Sequence, residues 1–365
     1  MIDSLIKKNK ELNKPNFFGV TASGISGNLC SAVGGWVEIG RKELTGTSGC
    51  LYTTEFGAYE NIMYLYQLEA NNLSPSARMR FNDDTGSHYA SRQNVEGSVC
   101  ATTLTNQNNS MVVAMNTTDA EYQVGYGYIE NVAGQEKLGM NHNVNRSTAG
   151  ECTAPSRVES VYKYDPASLC TSIDEVRITN CGSGVYAIGT QVIALGWDKD
   201  NTHSPECSFW QPLTRKTIAS ASTCLTTDTF AGKEWLMVNI YGRVNGCGNI
   251  NGAKLQFNGD TCSNYAWRRA RGGADCTGTN ATSTFGGCTA DISSFSSYII
   301  RNQADKEKLI SGHEVVNATA GECTVPGRAE YAWKWDNTSD QITSIKAVTA
   351  NAFSTASYIQ VWGSD

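Results

Sequence analysis

The sequence predicts an all-β protein made of two tandem antiparallel β-sandwich modules of jelly-roll-like form, preceded by a short N-terminal helical arm. Three observations support this prediction. Short segments alternate apolar and polar residues with a period of two, and clusters of Gly, Asn, Asp and Ser separate them. In addition, residues 30–198 are repeated in diverged form as residues 207–365. The predicted boundaries are 1–25 for the arm, 26–198 for module 1 and 199–365 for module 2.

The alternating segments are the candidate strands. They are rich in β-branched and aromatic residues, which suit a pleated surface. Two pairs of aromatic residues, Tyr162 with Tyr164 and Trp333 with Trp335, each flank a lysine. The period of a strand places both rings of a pair on one face, so we expect these rings to lie in a core or on a sheet face. Representative segments are 111–115, 122–129, 186–195, 298–300 and 358–362.

The helical arm is predicted from the first fifteen residues. Ser4 can cap a segment that carries Leu5, Ile6 and Leu12 and that ends before Pro15. A helix this short is marginal by itself in water. We therefore expect a neighbouring subunit to hold it.

The repeat is anchored at three places. Residues 78–90 and 254–266 are identical at seven of thirteen positions, at an offset of 176. Residues 131–165 correspond to 302–336 at an offset of 171, and both contain the sequence TAGECT. The offsets differ because loop lengths change between the anchors. The third set, at an offset of 174, matches Trp36, Arg41, Lys42, Cys50, Leu51 and Phe56 with Trp210, Arg215, Lys216, Cys224, Leu225 and Phe230.

Composition and charge exclude several classes of protein. The chain has 365 residues, of which 40% are apolar, so each module can bury a full core. A net charge of −6 disfavours nucleic acid as a partner. The chain has no run of eighteen apolar residues, so no membrane-spanning helix is predicted. The first fourteen residues carry charge where a signal peptide needs an apolar stretch, so we expect neither a membrane partner nor secretion by that route.

Thirteen cysteines predict a disulfide framework. Four positions are shared by the two copies, which favours two bridges inherited by each module, and the remaining cysteines can pair locally. Each unstrained bridge would stabilise the fold by about 2–4 kcal/mol. The simplest pairing is Cys30–Cys50, Cys100–Cys152, Cys170–Cys181, Cys207–Cys224, Cys247–Cys262 and Cys276–Cys323, with Cys288 unpaired or bonded to another chain.

Two alternatives to this framework remain open. A Cys276–Cys288 bridge would release Cys323. Zinc binding is the other, but the chain has no CxxC pair, and its histidines do not stand at ligand spacing from cysteines, so no metal site is expected. Two of the histidines, His142 and His313, occupy equivalent positions, which suits a structural role better than a shared ligand. The histidines are His88, His142, His203 and His313.

The NDDTG and NGDTC segments, which begin at Asn82 and Asn258, have two interpretations. A tight hairpin turn suits Asn, Gly and Asp, because these residues tolerate positive φ. A Ca²⁺ site built from Asp83 and Asp84 is the alternative. The turn is favoured, because the second copy keeps only Asp260 and Ca²⁺ needs several oxygen ligands.

No catalytic motif is present. The chain lacks a GxSxG elbow, an HExxH helix and a phosphate-binding loop. Asp84 and Glu151 recur as acidic residues in both copies and could serve as a glycosidase pair, but spacing alone does not bring them together. We therefore expect no catalytic residue, no cofactor and no enzymatic activity.

The segment LQFNGDTCSNYA, followed by a Tyr-containing strand and the pattern Asn-x-Ala-x3-Lys at residues 302–308, resembles modules of tailed-bacteriophage virion proteins. Those modules carry segments of the RFNGDTGSNY type. The resemblance covers residues 68–195 and 237–362, and the chain departs from it where Cys262 replaces the glycine that the first copy keeps as Gly86. It implies a jelly-roll-like β-sandwich and a structural role, and it supplies no catalytic residue.

The resemblance predicts a virion structural protein, made in the host cytoplasm and oxidised after release. We expect a disulfide-stabilised capsid decoration or cement protein that is anchored by its arm. Its expected partners are other virion proteins and copies of itself. One alternative is a tail fibre or spike adsorption protein that binds cell-surface glycan through Trp267, Trp333 or Tyr89. A second is a particle-borne glycan hydrolase.

Overall fold

A computed structural model describes residues 35–72, 76–96, 102–107, 111–112, 122–166, 171–198, 207–243, 253–271, 274–284, 293–316 and 327–365. These residues form twenty-four β-strands, which confirms the predicted all-β class. Within them there is no helix long and apolar enough to cross a membrane. The predicted N-terminal arm lies outside the described residues.

The first thirteen strands form two sheets of one sandwich. In chain order they are β1 (Val37–Glu43), β2 (Cys50–Tyr52), β3 (Asn61–Asn72), β4 (Ala77–Phe81), β5 (Tyr89–Val95), β6 (Thr102–Gln107), β7 (Met111–Val112), β8 (Tyr122–Glu130), β9 (Lys137–Asn145), β10 (Ser156–Tyr164), β11 (Val176–Asn180), β12 (Val185–Tyr186) and β13 (Gln191–Trp197). The large sheet has the order β1-β13-β3-β8-β9-β10-β5-β6, with β12 beside β3. The small sheet has the order β2-β11-β4-β7.

The remaining strands form a second sandwich. They are β14 (Gln211–Thr217), β15 (Ser222–Thr226), β16 (Trp235–Arg243), β17 (Lys254–Phe257), β18 (Tyr265–Arg271), β19 (Ala274–Ala281), β20 (Ser293–Arg301), β21 (Lys308–Val316), β22 (Gly327–Trp335), β23 (Ile345–Phe353) and β24 (Tyr358–Ser364). The large sheet runs β14-β24-β16-β20-β21-β22-β18-β19 and the small sheet β15-β23-β17. Every strand of the second sandwich repeats the place of a counterpart in the first, so the sequence repeat is also a repeat of topology; β7 and β12 of the first have no counterpart among the described residues.

The predicted core positions of the aromatic pairs are confirmed. Tyr162 and Tyr164 point from β10 into the first sandwich, and Trp333 and Trp335 point from β22 into the second. On β10 the alternate residue Val161 faces outward and is exposed, as the period of a strand requires.

Strands at the centre of each large sheet depart from the predicted alternation of apolar and polar residues. On β13, Val192 and Ala194 enter the sandwich core, whereas Ile193 and Leu195 enter a second apolar cluster on the opposite face. All four side chains are fully buried. A strand that is covered on both faces reads as a continuous apolar run, and the same explanation applies to β24.

At one pair of facing core positions, the large and the small residue stand on opposite strands in the two modules. In module 1 Tyr64 lies opposite Gly127, and a Cβ atom on that glycine would overlap the Tyr64 phenol ring. In module 2 the corresponding pair is Val238 opposite Tyr298, so the large ring has moved to the other strand. Close-packed interiors tolerate such paired changes because total volume is kept.

We predict that Gly127→Ala destabilises the protein by about 1–3 kcal/mol, because the added methyl group overpacks the core against Tyr64. Urea unfolding measures this cost. The control is Gly57→Ala, since a Cβ atom there meets no atom within 4 Å. In a Tyr64→Val background, which removes the phenol, the cost of Gly127→Ala should shrink. An equal cost in both backgrounds would show that the ring is not responsible.

Candidate functional site

The predicted turns at residues 82–86 and 258–262 are present. Asn82 and Asp83 have φ values of 54° and 52°, and Asn258 and Gly259 have values of 51° and 72°. These values lie in the left-handed region, which Asn, Asp and Gly tolerate. The strands that each turn joins lie in different sheets, so the turn forms a corner of the sandwich and not a hairpin.

The Asp84 carboxylate locks the first corner. It accepts hydrogen bonds from the Gly86 backbone N–H (2.7 Å) and the Tyr164 hydroxyl (3.0 Å), and it contacts His88 Nδ1 at 2.7 Å. Burial raises the pKa of Asp84, but the hydrogen bonds from His88, Gly86 and Tyr164 outweigh burial and hold the pKa below its usual value. This carboxylate is therefore engaged by donors of the protein itself.

The Asp260 carboxylate does the same in the second corner. It accepts hydrogen bonds from Trp335 Nε1 (2.7 Å), Asn264 Nδ2 (3.0 Å) and the Cys262 backbone N–H (2.8 Å). The arrangement has been kept while most of the donors changed. Among the described residues, no group of three or more His, Cys, Asp or Glu side chains is placed to hold a metal ion.

Buried asparagines shared by the two copies fasten loops to the sandwich. Asn302 donates through Nδ2 to the carbonyl oxygens of Lys233 (2.9 Å) and Ile342 (3.1 Å), and its Oδ1 accepts from the Ile342 backbone N–H at 2.6 Å. Asn131 makes the equivalent bonds in module 1. Polar residues retained in both copies therefore serve backbone hydrogen bonding, which explains their retention without a catalytic role.

A buried lysine in each module also caps backbone carbonyls. Lys308 donates to the carbonyl oxygens of Ala304 (3.2 Å), Lys306 (2.7 Å) and Asn337 (2.7 Å). Burial lowers the pKa of Lys308 to about 8. Lys137 holds the same position in module 1 and is equally buried. These ammonium groups are structural, because their hydrogen bonds go to the carbonyls of their own loops.

The two modules pack against each other through the outer faces of their large sheets. We call this contact the seam. Hydrogen bonds cross it as well, including that from Trp235 Nε1 to Gln191 Oε1 at 3.4 Å. The seam joins the modules through a shared apolar cluster. Its buried members are Trp36, Met63, Leu65, Tyr122, Val124, Tyr126, Val144, Ile193, Leu195, Phe209, Trp210, Trp235, Met237, Ile299, Leu309, Ala332 and Trp362.

Equivalent residues meet at the centre of the seam. The rings of His142 and His313 contact each other with centroids 4.1 Å apart. Beside them Arg157 pairs with Glu330 (2.8 Å), and its counterpart Arg328 approaches Glu159, the counterpart of Glu330, at 3.7 Å. Such reciprocity is the signature of a two-fold, self-complementary interface. An approximate two-fold axis through the seam therefore relates the two modules.

A group of three carboxyl side chains lies at one end of the seam. Glu151 of module 1 is hydrogen-bonded to Asp336 of module 2, and Glu307 accepts from the Gly150 backbone N–H. Burial, then the hydrogen bond with Glu151 and the charge of Glu307, raise the pKa of Asp336 to about 6. Asp336 therefore holds a proton between two carboxylates in mildly acidic solution.

This geometry bears on the glycosidase alternative. Asp84 locks a corner of module 1, whereas Glu151 is bonded to Asp336 at the seam. Glycosidases place their two carboxyl groups about 5–9.5 Å apart, whereas Glu151 and Asp336 are in hydrogen-bond contact. The contact suits a shared proton and leaves no room for a glycosidic bond between the two groups.

We predict that Asp336→Asn removes a pH dependence of stability. The folded-state pKa of about 6 lies above the usual Asp value, so the folded state binds the extra proton. The stability from this group is complete below pH 3.8 and is lost as the pH rises through 6. The free energy of unfolding of Asp336→Asn should therefore rise relative to wild type between pH 4 and pH 7.

Urea unfolding of both proteins across that range measures the effect. The control is Asp260→Asn, because the pKa of Asp260 is lowered and the contribution of this group is complete above about pH 5, so it stays constant through pH 6. A difference between Asp336→Asn and wild type that stays constant with pH would contradict the raised pKa.

The prediction of an exposed, glycan-binding ring is wrong for two of the three aromatic residues. Trp333 and Tyr89 are 0% and 1% exposed, because each faces the interior of its sandwich. Trp267 is partly buried, and its indole covers Gly278 of the adjacent strand. A ring platform for sugars needs exposed faces, so Trp333 and Tyr89 cannot form one.

The predicted Cys207–Cys224 bridge is absent, and both residues carry free thiols. Cys224 lies on the small sheet beside Leu225, whose side chain enters the sandwich core. Cys207 precedes Phe209 and Trp210, which pack into the seam on the far side of the large sheet. Each of the other five predicted bridges has one cysteine outside the described residues: Cys30, Cys100, Cys170, Cys247 or Cys323. Cys288 also lies outside them.

The seam was not predicted from the sequence, although one signal for it was present. His142 and His313 occupy equivalent positions, and so do Glu159 and Glu330 at the same offset of 171. Placing these residues on one outward face of their strands would have shown a polar cluster that both copies share. What the sequence does not encode locally is that the two faces meet.

No family model matches the chain, and no curated protein matches it. Two solved structures show weak similarity. Domains LG4-5 of the mouse laminin alpha1 chain have 9% identity and a TM-score of 0.19, with 92% of each chain covered. The outer membrane protein OprG from Pseudomonas aeruginosa has 7% identity and a TM-score of 0.10, with 84% of this chain and 99% of that chain covered. Neither similarity supports an inference about function.

Proposed function

We propose that this protein is a virion structural protein that decorates or cements a capsid and attaches through its N-terminal arm. The seam is the observation that carries the proposal. It joins two sandwiches through an extended apolar cluster and reciprocal ion pairs, such as Arg157 with Glu330. Broad packing of this kind suits a rigid structural protein.

The use of the shared polar residues supports the same proposal. Asp84 and Asp260 lock corners, and Asn131 and Asn302 fasten loops. Retention of residues that bond the backbone indicates selection for a durable fold and not for a catalysed reaction. The proposed partners are other virion proteins and copies of this chain, and the proposed place is the particle, with oxidation after release from the host cytoplasm. We propose no enzymatic activity.

Deletion of residues 1–25 tests the attachment. Particles stripped of the protein are incubated with wild-type or arm-deleted protein, and binding and survival after heating are measured. Wild-type protein should bind and raise heat resistance, and the arm-deleted protein should do neither. A variant with a scrambled arm of the same composition separates sequence-specific anchoring from simple charge. Arm-deleted protein that still binds and protects particles would refute the anchoring.

A further inference from the structure

We propose that the seam is acid-sensitive, and that protonation of the His142–His313 pair loosens the contact between the two modules. The inference goes beyond the proposed function and does not depend on it. It stands on the geometry of two partly buried rings that contact each other at the centre of an interface.

The two imidazole rings are packed edge to face, with an interplanar angle of 71°. Both residues are partly buried, and one ring nitrogen of each, His142 Nδ1 and His313 Nε2, is itself buried. His142 Nδ1 and His313 Nε2 have no hydrogen-bond partner among the described residues. A buried neutral ring tolerates one unpaired nitrogen at modest cost, whereas a buried imidazolium needs a partner for each N–H group. The site is therefore built for the neutral form.

The charged groups around the rings offer no free counter-ion. From β10 come Arg157 and Glu159, and from β22 come Arg328 and Glu330. Arg157 contacts both carboxylates, at 2.9 Å from Glu159 and 2.8 Å from Glu330, and Arg328 pairs with Glu330 as well. Two guanidinium groups thus already balance two carboxylates. Protonation of both rings would add two uncompensated positive charges.

The remaining neighbours do not change this balance. From β8, Tyr126 contacts His142 with ring centroids 5.2 Å apart and His313 at 6.5 Å. Burial raises the pKa of Tyr126 well above its usual value, so this phenol is neutral in acid. On β20 the residue opposite His313 is Ser297, which carries no charge.

The sign of the pH effect follows from these surroundings. Burial, then the charges of His313 and the two arginines, lower the pKa of His142, and burial with the same arginines lowers the pKa of His313 to about 4. Histidines of the separated or unfolded state take up protons below about pH 6.5. Stability of the seam is therefore complete above pH 6.5 and falls as the pH falls towards 4. For each ring, a fall of one pH unit in this range raises the equilibrium constant for opening of the seam by up to about tenfold.

The full-length chain is tested by small-angle scattering and by urea unfolding at pH 7.5, 6.0 and 5.0. Wild-type protein should show a lower unfolding midpoint and a larger radius of gyration at pH 5.0 than at pH 7.5. The double variant His142→Gln/His313→Gln should lose most of this change. The matched control His88→Gln, which alters a partly exposed histidine far from the seam, should keep it. Parallel pH curves for wild type and the double variant would overturn the proposal.

Two further measurements keep the outcome decisive. The carboxyl groups of Asp336 and Glu159 have pKa values raised by burial and act in the opposite direction over part of this range. Glu159 is common to wild type and the double variant, and the comparison is repeated in an Asp336→Asn background, where the histidine effect should be larger. If the double variant does not fold, NMR titration of the imidazole signals in wild type replaces it. Titration of either ring near its ordinary pKa of about 6.5 would contradict the proposal.

Discussion

Burial of both faces of the large sheets is the constraint on which the rest of this structure depends. One face packs on a small sheet to close a sandwich, and the other packs on the large sheet of the other module. On β3, Tyr64 and Tyr66 enter the sandwich core while Met63 and Leu65 enter the seam. A single strand thus supplies two cores. The outer face of each large sheet is covered where the seam forms, whereas Val161 beyond it is exposed.

This constraint explains which predictions from the sequence succeed. The positive φ angles at Asn82 and Asn258 and the core positions of Tyr162 and Trp333 depend on local pattern and are confirmed, whereas the hairpin form of the two turns is not. Two-sided burial is not local, so the pattern of residues 186–195 predicts an alternating strand where β13 is buried on both faces. The seam carries no short motif, because its polar residues come from strands whose juxtaposition depends on the whole fold.

The Cys207–Cys224 bridge and the glycan-binding role of Trp333 are wrong for a related reason. Equivalent positions in two copies say that residues share an environment, and they do not say that the residues touch. Cys207 and Cys224 both carry free thiols, and Trp333 lies in the sandwich interior. Shared asparagines and aspartates proved to be loop fasteners, so retention between the copies reports on folding more than on chemistry.

The copies have also diverged in how they use the seam. Leu309 and Ala332 of module 2 are buried beneath module 1, whereas their counterparts Leu138 and Val161 are 55% and 57% exposed. The approximate two-fold relation is therefore strongest near the histidine pair and weaker towards this edge. On the side where Leu309 and Ala332 are buried, the segment 146–155 of module 1 contacts module 2. There the Lys334 ammonium donates to the Thr148 carbonyl oxygen at 2.7 Å.

A double-mutant cycle across the seam is the most direct test of this account. Urea unfolding of the wild-type chain, Arg157→Met, Glu330→Gln and the double variant measures the coupling energy between residues that only face-to-face packing of the modules brings together. A buried ion pair in contact predicts coupling of about 1–3 kcal/mol. Additive effects of the two substitutions would mean that the modules do not pack through these faces.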